Sequence, residues 1–194
     1  MDILAFSIYL VVGSVTPGPN NCTAMSYAAT QGINRSLLFS LGVFFGLVGV
    51  SAISALFTNF ISERMDHAGQ ILRVVGTIYM VWLAWIIWRS SGVPERQMDS
   101  GGRLMLNGMI LQFVNVKVLL HCITLFGGFI LPAYQGRPLA LFGFCLILGF
   151  VVLASNILWA AGGAALSRAF TDYPRLINGI LAILLLFCVA SLWI

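Results

Sequence analysis

The sequence predicts an all-α membrane protein: six transmembrane helices forming two inverted three-helix repeats, with helices 1 and 4 interrupted at mid-span. Three observations predict it. Of the 194 residues, 60% are hydrophobic and only 8% charged, and the mean hydropathy is +0.99. Six runs approach the ~20 apolar residues that a helix needs to cross roughly 30 Å of hydrocarbon. Two of these runs are broken by polar motifs, Thr16-Pro17-Gly18-Pro19-Asn20-Asn21 and Gln112-Phe113-Val114-Asn115-Val116-Lys117, and interrupted spans are where transporters bind their substrates.

The spans are expected near Ile3 to Ala28, Ser36 to Phe60, Gly69 to Trp88, Leu104 to Leu131, Leu139 to Leu166 and Leu176 to Trp193. The runs lack the two-residue alternation of barrel strands, so they satisfy their backbone in lipid as helices. No basic leader and no convincing small-residue cleavage site precede the first run, which is read as a retained span. A single transmembrane domain over 1–194 is expected, with repeat one at 1–90, a cytoplasmic linker at 91–103 and repeat two at 104–194. Three spans per half place the halves upside down relative to one another. Gln31-Gly32 before span two and Gln135-Gly136 before span five give this plan faint support; the matched breaks carry more weight.

Orientation follows from basic residues in the short loops. With both termini outside, Arg35, Arg89, Arg96, Arg103, Arg168 and Arg175 fall inside, against Arg64, Arg73 and Arg137 outside. Both termini are therefore predicted on the outer side of the membrane. The formal charge of +4 reads as a topology signal. No clustered basic patch for nucleic acid exists in the sequence, and the spans leave no room for a nucleotide-binding or enzymatic lobe.

At the first break, Pro17 and Pro19 lack amide hydrogens, so carbonyls near Gly13 and Val15 lose their helical partners. Asn20 or Asn21 could cap a second half-helix whose amides favour a carboxylate. Thr16 to Asn21 thus offer acceptors for an ammonium and donors for a carboxylate, against the plainer alternative of a proline kink. The second break carries Lys117, the only lysine in the chain. A Lys at the centre of a span costs ~2.5–3.5 kcal/mol, and its stem is too short to reach the interface, so it faces the bundle interior or water. Asn115 and Gln112 are its polar neighbours, and His121 lies one helical turn on. Lys117 could instead be a structural donor to the carbonyls freed in span one, a role compatible with substrate contact.

All six acidic residues, Asp2, Glu63, Asp66, Glu95, Asp99 and Asp172, fall at ends or in loops. A pocket with a buried positive charge and no carboxylate suits an anionic or zwitterionic solute. Proton coupling would have to pass through His121 or Lys117. No cofactor and no metal cluster is expected, and no nucleophile-base-acid set marks an enzyme.

Together with Gly42 and Gly46 in span two, and Tyr79 and Trp82-Leu83-Ala84-Trp85 in span three, the two breaks resemble those of a bacterial amino-acid efflux superfamily. That superfamily comprises the lysine exporters and the homoserine/threonine exporters, and the resemblance covers the whole chain. The Gln-Phe-Val-Asn-Val-Lys form and Phe129 to Pro132 look closest to the cysteine and O-acetylserine exporters of the inner membrane. Much of the family has Asn-Pro-Lys where this chain has Asn115-Val116-Lys117. The resemblance implies a secondary transporter exporting small neutral amino acids, most closely cysteine and O-acetylserine; from the chemistry of the breaks, Thr16 to Asn21, Gln112, Asn115 and Lys117 are the expected binding residues, and Tyr79 could line the cavity. The outward direction rests on the resemblance alone.

The rival reading is a transmembrane thiol-disulfide electron carrier using Cys22 and Cys122, which follow the two breaks. No Cys-x-x-Cys pair supports it, and Cys145 and Cys188 look like small apolar residues. Asn156, Trp159 and Asn178 are expected in interhelical hydrogen bonds. Trp82, Trp85 and Trp88 read as packing and interfacial anchors against lipid. Gly42 and Gly46 fit a close helix contact, within the subunit or between the subunits of a homodimer. The partners expected are therefore a small amino acid, membrane lipid, a second copy of the chain and a proton as candidate coupling ion.

Overall fold

A computed structural model describes residues 2–61, 74, 77–78, 81–82, 84–85, 88–89, 100–166 and 172–191. Span three and the linker fall largely outside the described residues, and Tyr79 with them. Every element among the described residues is helical: α1 (Ile3–Val15), α2 (Pro19–Gln31), α3 (Ile33–Ile61), α4 (Gly101–Val114), α5 (Val116–Thr124), a π-helical segment (Leu125–Ile130), α6 (Leu131–Tyr134), α7 (Pro138–Ala165) and α8 (Pro174–Ser191). Ile33–Ala55, Val116–Tyr134 and Pro138–Ala165 are each long and apolar enough to cross a membrane. The pair α1 and α2, bent by 45°, forms a fourth candidate span.

The ends of these helices follow from local chemistry. Asp2 starts α1 by accepting the Ala5 amide at 3.0 Å, one of the donors that a helix leaves orphaned. Pro19 and Pro138 begin α2 and α7 at positions whose amide would have no partner anyway. Gly32 and Gly136 turn the chain into α3 and toward α7 with φ of 93° and 77°, the only positive φ values among the described residues. These are the glycines of the two Gln-Gly duplets. Pro132 cannot offer an amide to Gly128, and the helix widens around it, with the Leu131 amide reaching back to Phe126.

The expected interruptions are both present. Helix α1 stops at Val15 and α2 starts at Pro19. Asn115 (φ −82°, ψ 96°) separates α4 from α5 although no proline stands there. The helical run over the expected fourth span therefore extends from Gly101 to Tyr134 in pieces, longer than the Leu104 to Leu131 expected from hydropathy.

Packing places α3 at the centre, against α2, α4, α5 and α7, while α7 lies along α2 and α3. The glycines of α3 make the α3–α4 contact possible. A Cβ on Gly42 would strike the Met105 carbonyl, and one on Gly46 would meet the Met109 backbone and Gln112. That close contact therefore lies within the subunit. Outside, the bundle shows apolar side chains such as Ile3, Leu4, Ile8, Phe150 and Leu158. Inside it holds Asn20, Asn21, Gln112, Asn115, Ser155 and Asn156, all buried. Apolar outside with polar groups concentrated within suits a lipid solvent, where every buried polar group needs a partner from the protein.

Candidate functional site

The first break exposes four consecutive carbonyls, from Ser14 to Pro17, because α1 has ended and α2 has not begun. Each is taken up by a side chain. Asn21 Nδ2 donates to the Ser14 and Thr16 carbonyls at 3.0 Å and to that of Val15 at 3.4 Å. Ser155 Oγ, from α7, donates to the Ser14 carbonyl at 2.9 Å and reaches Asn21 Oδ1 at 3.3 Å. Trp159 Nε1 donates to the Val15 carbonyl at 3.1 Å. Lys117 Nζ, from α5, donates to the carbonyls of Thr16 at 2.8 Å and Pro17 at 3.1 Å.

The second break meets the first directly. Asn20 Nδ2 donates to Gln112 Oε1 at 2.8 Å, and Gln112 Nε2 returns a bond to Asn20 Oδ1 at 3.1 Å. Asn115 Nδ2 also donates to Asn20 Oδ1, at 3.2 Å. Gln112 and Asn115 are 0% and 1% exposed, so these bonds are made without competing water. In such surroundings a polar atom left unpaired costs ~1–3 kcal/mol, which makes the amide set demanding of its partners.

Two glycines make room for the larger groups. Gly18 is extended, and a Cβ there would lie 3.1 Å from Lys117 Cδ and Nζ. A Cβ on Gly13 would land on the His121 ring. His121 is stacked on Tyr9, with ring centroids 5.1 Å apart. A cavity of about 30 Å3 lies among Gly13, Asn20, Asn115, Lys117, Val118 and His121. It has room for about two waters. Two buried polar atoms of its lining residues, Asn115 Oδ1 and His121 Nε2, have no hydrogen-bond partner. A larger cleft of about 750 Å3 runs between α1, α5 and α8, and Thr16, Lys117 and His121 lie on its wall.

Thr16, Pro17, Gly18, Pro19, Asn20, Asn21, Gln112, Asn115, Lys117 and His121 thus converge on one place. The match to the family model described as LysE type translocator runs over residues 11–194, through both breaks. The chain belongs to the LysE type translocator family. It is 34% identical over 189 residues to the cysteine/O-acetylserine efflux protein of Klebsiella pneumoniae subsp. pneumoniae, covering 96% of this chain and 94% of that one. The protein of the same description from Salmonella paratyphi A is 32% identical, with 100% and 98% covered. That from Escherichia coli O157:H7 is also 32% identical, with 97% and 96% covered. No solved structure matches the chain.

In this family member some expectations needed revision. Gly18 is the N-cap of α2, so Asn20 and Asn21 lie inside its first turn and spend their side chains on Gln112 and on the freed carbonyls. Trp159 makes the expected interhelical bond, whereas neither amide atom of buried Asn156 has a partner. Ser155 was missed; its signal was a small hydroxyl amid an apolar span. The thiol relay gains no support. Cys22 packs with Leu181 and Leu185, while Cys122 sits in a separate apolar cluster, its Sγ 3.5 Å from Ser51 Oγ.

Proposed function

We propose that this protein is a secondary transporter that exports small neutral amino acids, cysteine and O-acetylserine foremost, by alternating access about the joined breaks. The observation that carries the reading is the pairing of a buried lysine with freed backbone carbonyls, Lys117 Nζ on Thr16 and Pro17. Such a site holds a donor for a carboxylate and acceptors for an ammonium on facing elements, which is the pattern that a zwitterion requires. No acidic side chain lies among the described residues lining it, which disfavours basic amino acids. The relatives' names supply the two substrates and the outward direction.

Six spans in two inverted repeats are part of this reading, with the repeats at 1–90 and 104–194. The paired breaks and the paired left-handed glycines, Gly32 and Gly136, support it. The basic loops favour periplasmic termini in an inner membrane. Tyr79 is proposed to line the path, and His121 with Lys117 to carry a coupling proton.

Efflux of labelled cysteine and O-acetylserine from preloaded vesicles tests the function. We expect both to leave faster than from vesicles without the protein, and faster still with an opposing proton gradient. Movement of neither compound would remove the substrate assignment.

A further inference from the structure

We propose that Lys117 occupies, in the empty transporter, the place that the substrate's own ammonium takes when it binds. This inference rests on the proposed export of amino acids and specifies how their site opens. Of the four freed carbonyls, those of Ser14 and Val15 are held by the neutral donors Asn21, Ser155 and Trp159, and Asn21 also donates to that of Thr16. Those of Thr16 and Pro17 hold a primary ammonium, the Lys117 Nζ. An α-amino group is the same chemical group. It can donate to the same two carbonyls without any other change in the backbone.

Charge and space both favour an exchange over simple addition. A buried ammonium without partners is costly, so Lys117 must keep a partner whichever state the site is in. A zwitterion supplies one: its ammonium takes the Thr16 and Pro17 carbonyls while its carboxylate takes Lys117. Net charge within the site is then unchanged, and every charge has an opposite or a dipole beside it. The 30 Å3 cavity is too small for an amino acid while Lys117 lies across it. Lys117, Gly13 and His121 also border the 750 Å3 cleft, so the lysine separates the two spaces. Swinging its stem toward the cleft would join them and bring Asn115 Oδ1 and His121 Nε2, both without partners, within reach of the substrate. The glycine at position 18 leaves the stem room to move.

The exchange makes both ends of the substrate necessary. An acid lacking the amine can pair with Lys117 but cannot replace it on the carbonyls. Losing charge-assisted bonds of ~1.5–3 kcal/mol weakens its hold about tenfold or more.

Lys117 being the only lysine, protein grown with 15N-lysine and placed in lipid nanodiscs gives a single side-chain ammonium signal. O-acetylserine, added at mildly acidic pH, should shift that signal and speed its exchange with solvent deuterium. 3-Acetoxypropanoate, the same molecule without the amine, should leave it in place at the same concentration. An equal response to both compounds overturns the proposal. Vesicle export read in parallel separates the two claims. Export with an unmoved lysine signal overturns the exchange and leaves the exporter standing, whereas a shifted signal without export supports the exchange and removes the exporter. Neither effect removes both.

Discussion

The two breaks solve the same problem, stopping a helix inside an apolar bundle, by opposite means. At the first, Pro17 and Pro19 strip the ladder of donors, and four carbonyls from Ser14 to Pro17 are left to be satisfied from elsewhere. At the second, Asn115 alone departs from helical geometry, and the residues around it, Gln112, Asn115 and Lys117, reach out as donors. The backbone of the first break is an acceptor surface, and Lys117, Ser155 and Trp159 of the second half are donors to it, while Asn20 Nδ2 donates the other way, to Gln112 Oε1. The two breaks differ also in redundancy. The carbonyls of Ser14, Val15 and Thr16 each have two donors, from Asn21 together with Ser155, Trp159 or Lys117. Among the described residues, Asn20 Nδ2 has Gln112 Oε1 as its partner and no second one. A site built this way has one wall whose acceptors are held by paired donors and one whose contacts hang on single bonds.

The sharpest way to break the comparison is to delete the donor that carries charge. Lys117→Ala should insert normally and lose export by roughly 10- to 100-fold at limiting substrate, the worth of a charge-assisted bond of about 1.5–3 kcal/mol. Efflux from vesicles matched for protein content gives the answer. Export at the wild-type rate would mean that the donor wall is structural only.

Redundancy is tested next, in stability rather than transport. Gln112→Met keeps the volume but leaves the Asn20 Nδ2 with no partner, and should cost ~1–3 kcal/mol. Asn21→Leu removes one of two donors from each of three carbonyls and should cost less, about 0.6–1 kcal/mol. Thermal unfolding of the purified proteins in one detergent ranks them. A greater loss for Asn21→Leu would show that the acceptor wall depends on that one side chain after all.

How much of this the sequence disclosed follows from the same contrast. Pro17, Pro19 and the asparagines are legible because proline chemistry acts locally: a missing amide frees a carbonyl wherever the chain goes. The lysine is legible because its charge has nowhere else to go in a span. Ser155 and Trp159 are not legible as partners of the first break, since what brings them there is α7 lying along α2, a matter of tertiary packing. That packing is also unequal between halves. Helix α3 lies along α4, before the second break, whereas α7 lies along α2, after the first, far more than along α1. Sequence duplication of Gln-Gly and of the breaks gave no hint of this. The cap of α2 was misplaced for a simpler reason: asparagine is a good cap, but Gly18 preceding a proline at the first helical position already fulfils the geometry.

The smallest effect expected is also the most discriminating about the second break. This chain carries Val116 and no proline after the asparagine, yet the helix stops at Asn115 all the same. Val116 is the first residue of α5, where a missing amide costs nothing, and Asn115 already has the extended backbone that a following proline demands. Val116→Pro should therefore leave export within about twofold and raise stability by about 0.4–1 kcal/mol, by restricting the unfolded chain. Efflux and unfolding assays on the one variant read both. A large loss would mean that the break in span four moves during transport and needs the freedom that a non-proline residue keeps there. The donor wall would then be mobile in its backbone, not only in the Lys117 side chain. An unchanged rate would locate the motion in that side chain, with the two breaks fixed as the frame around it.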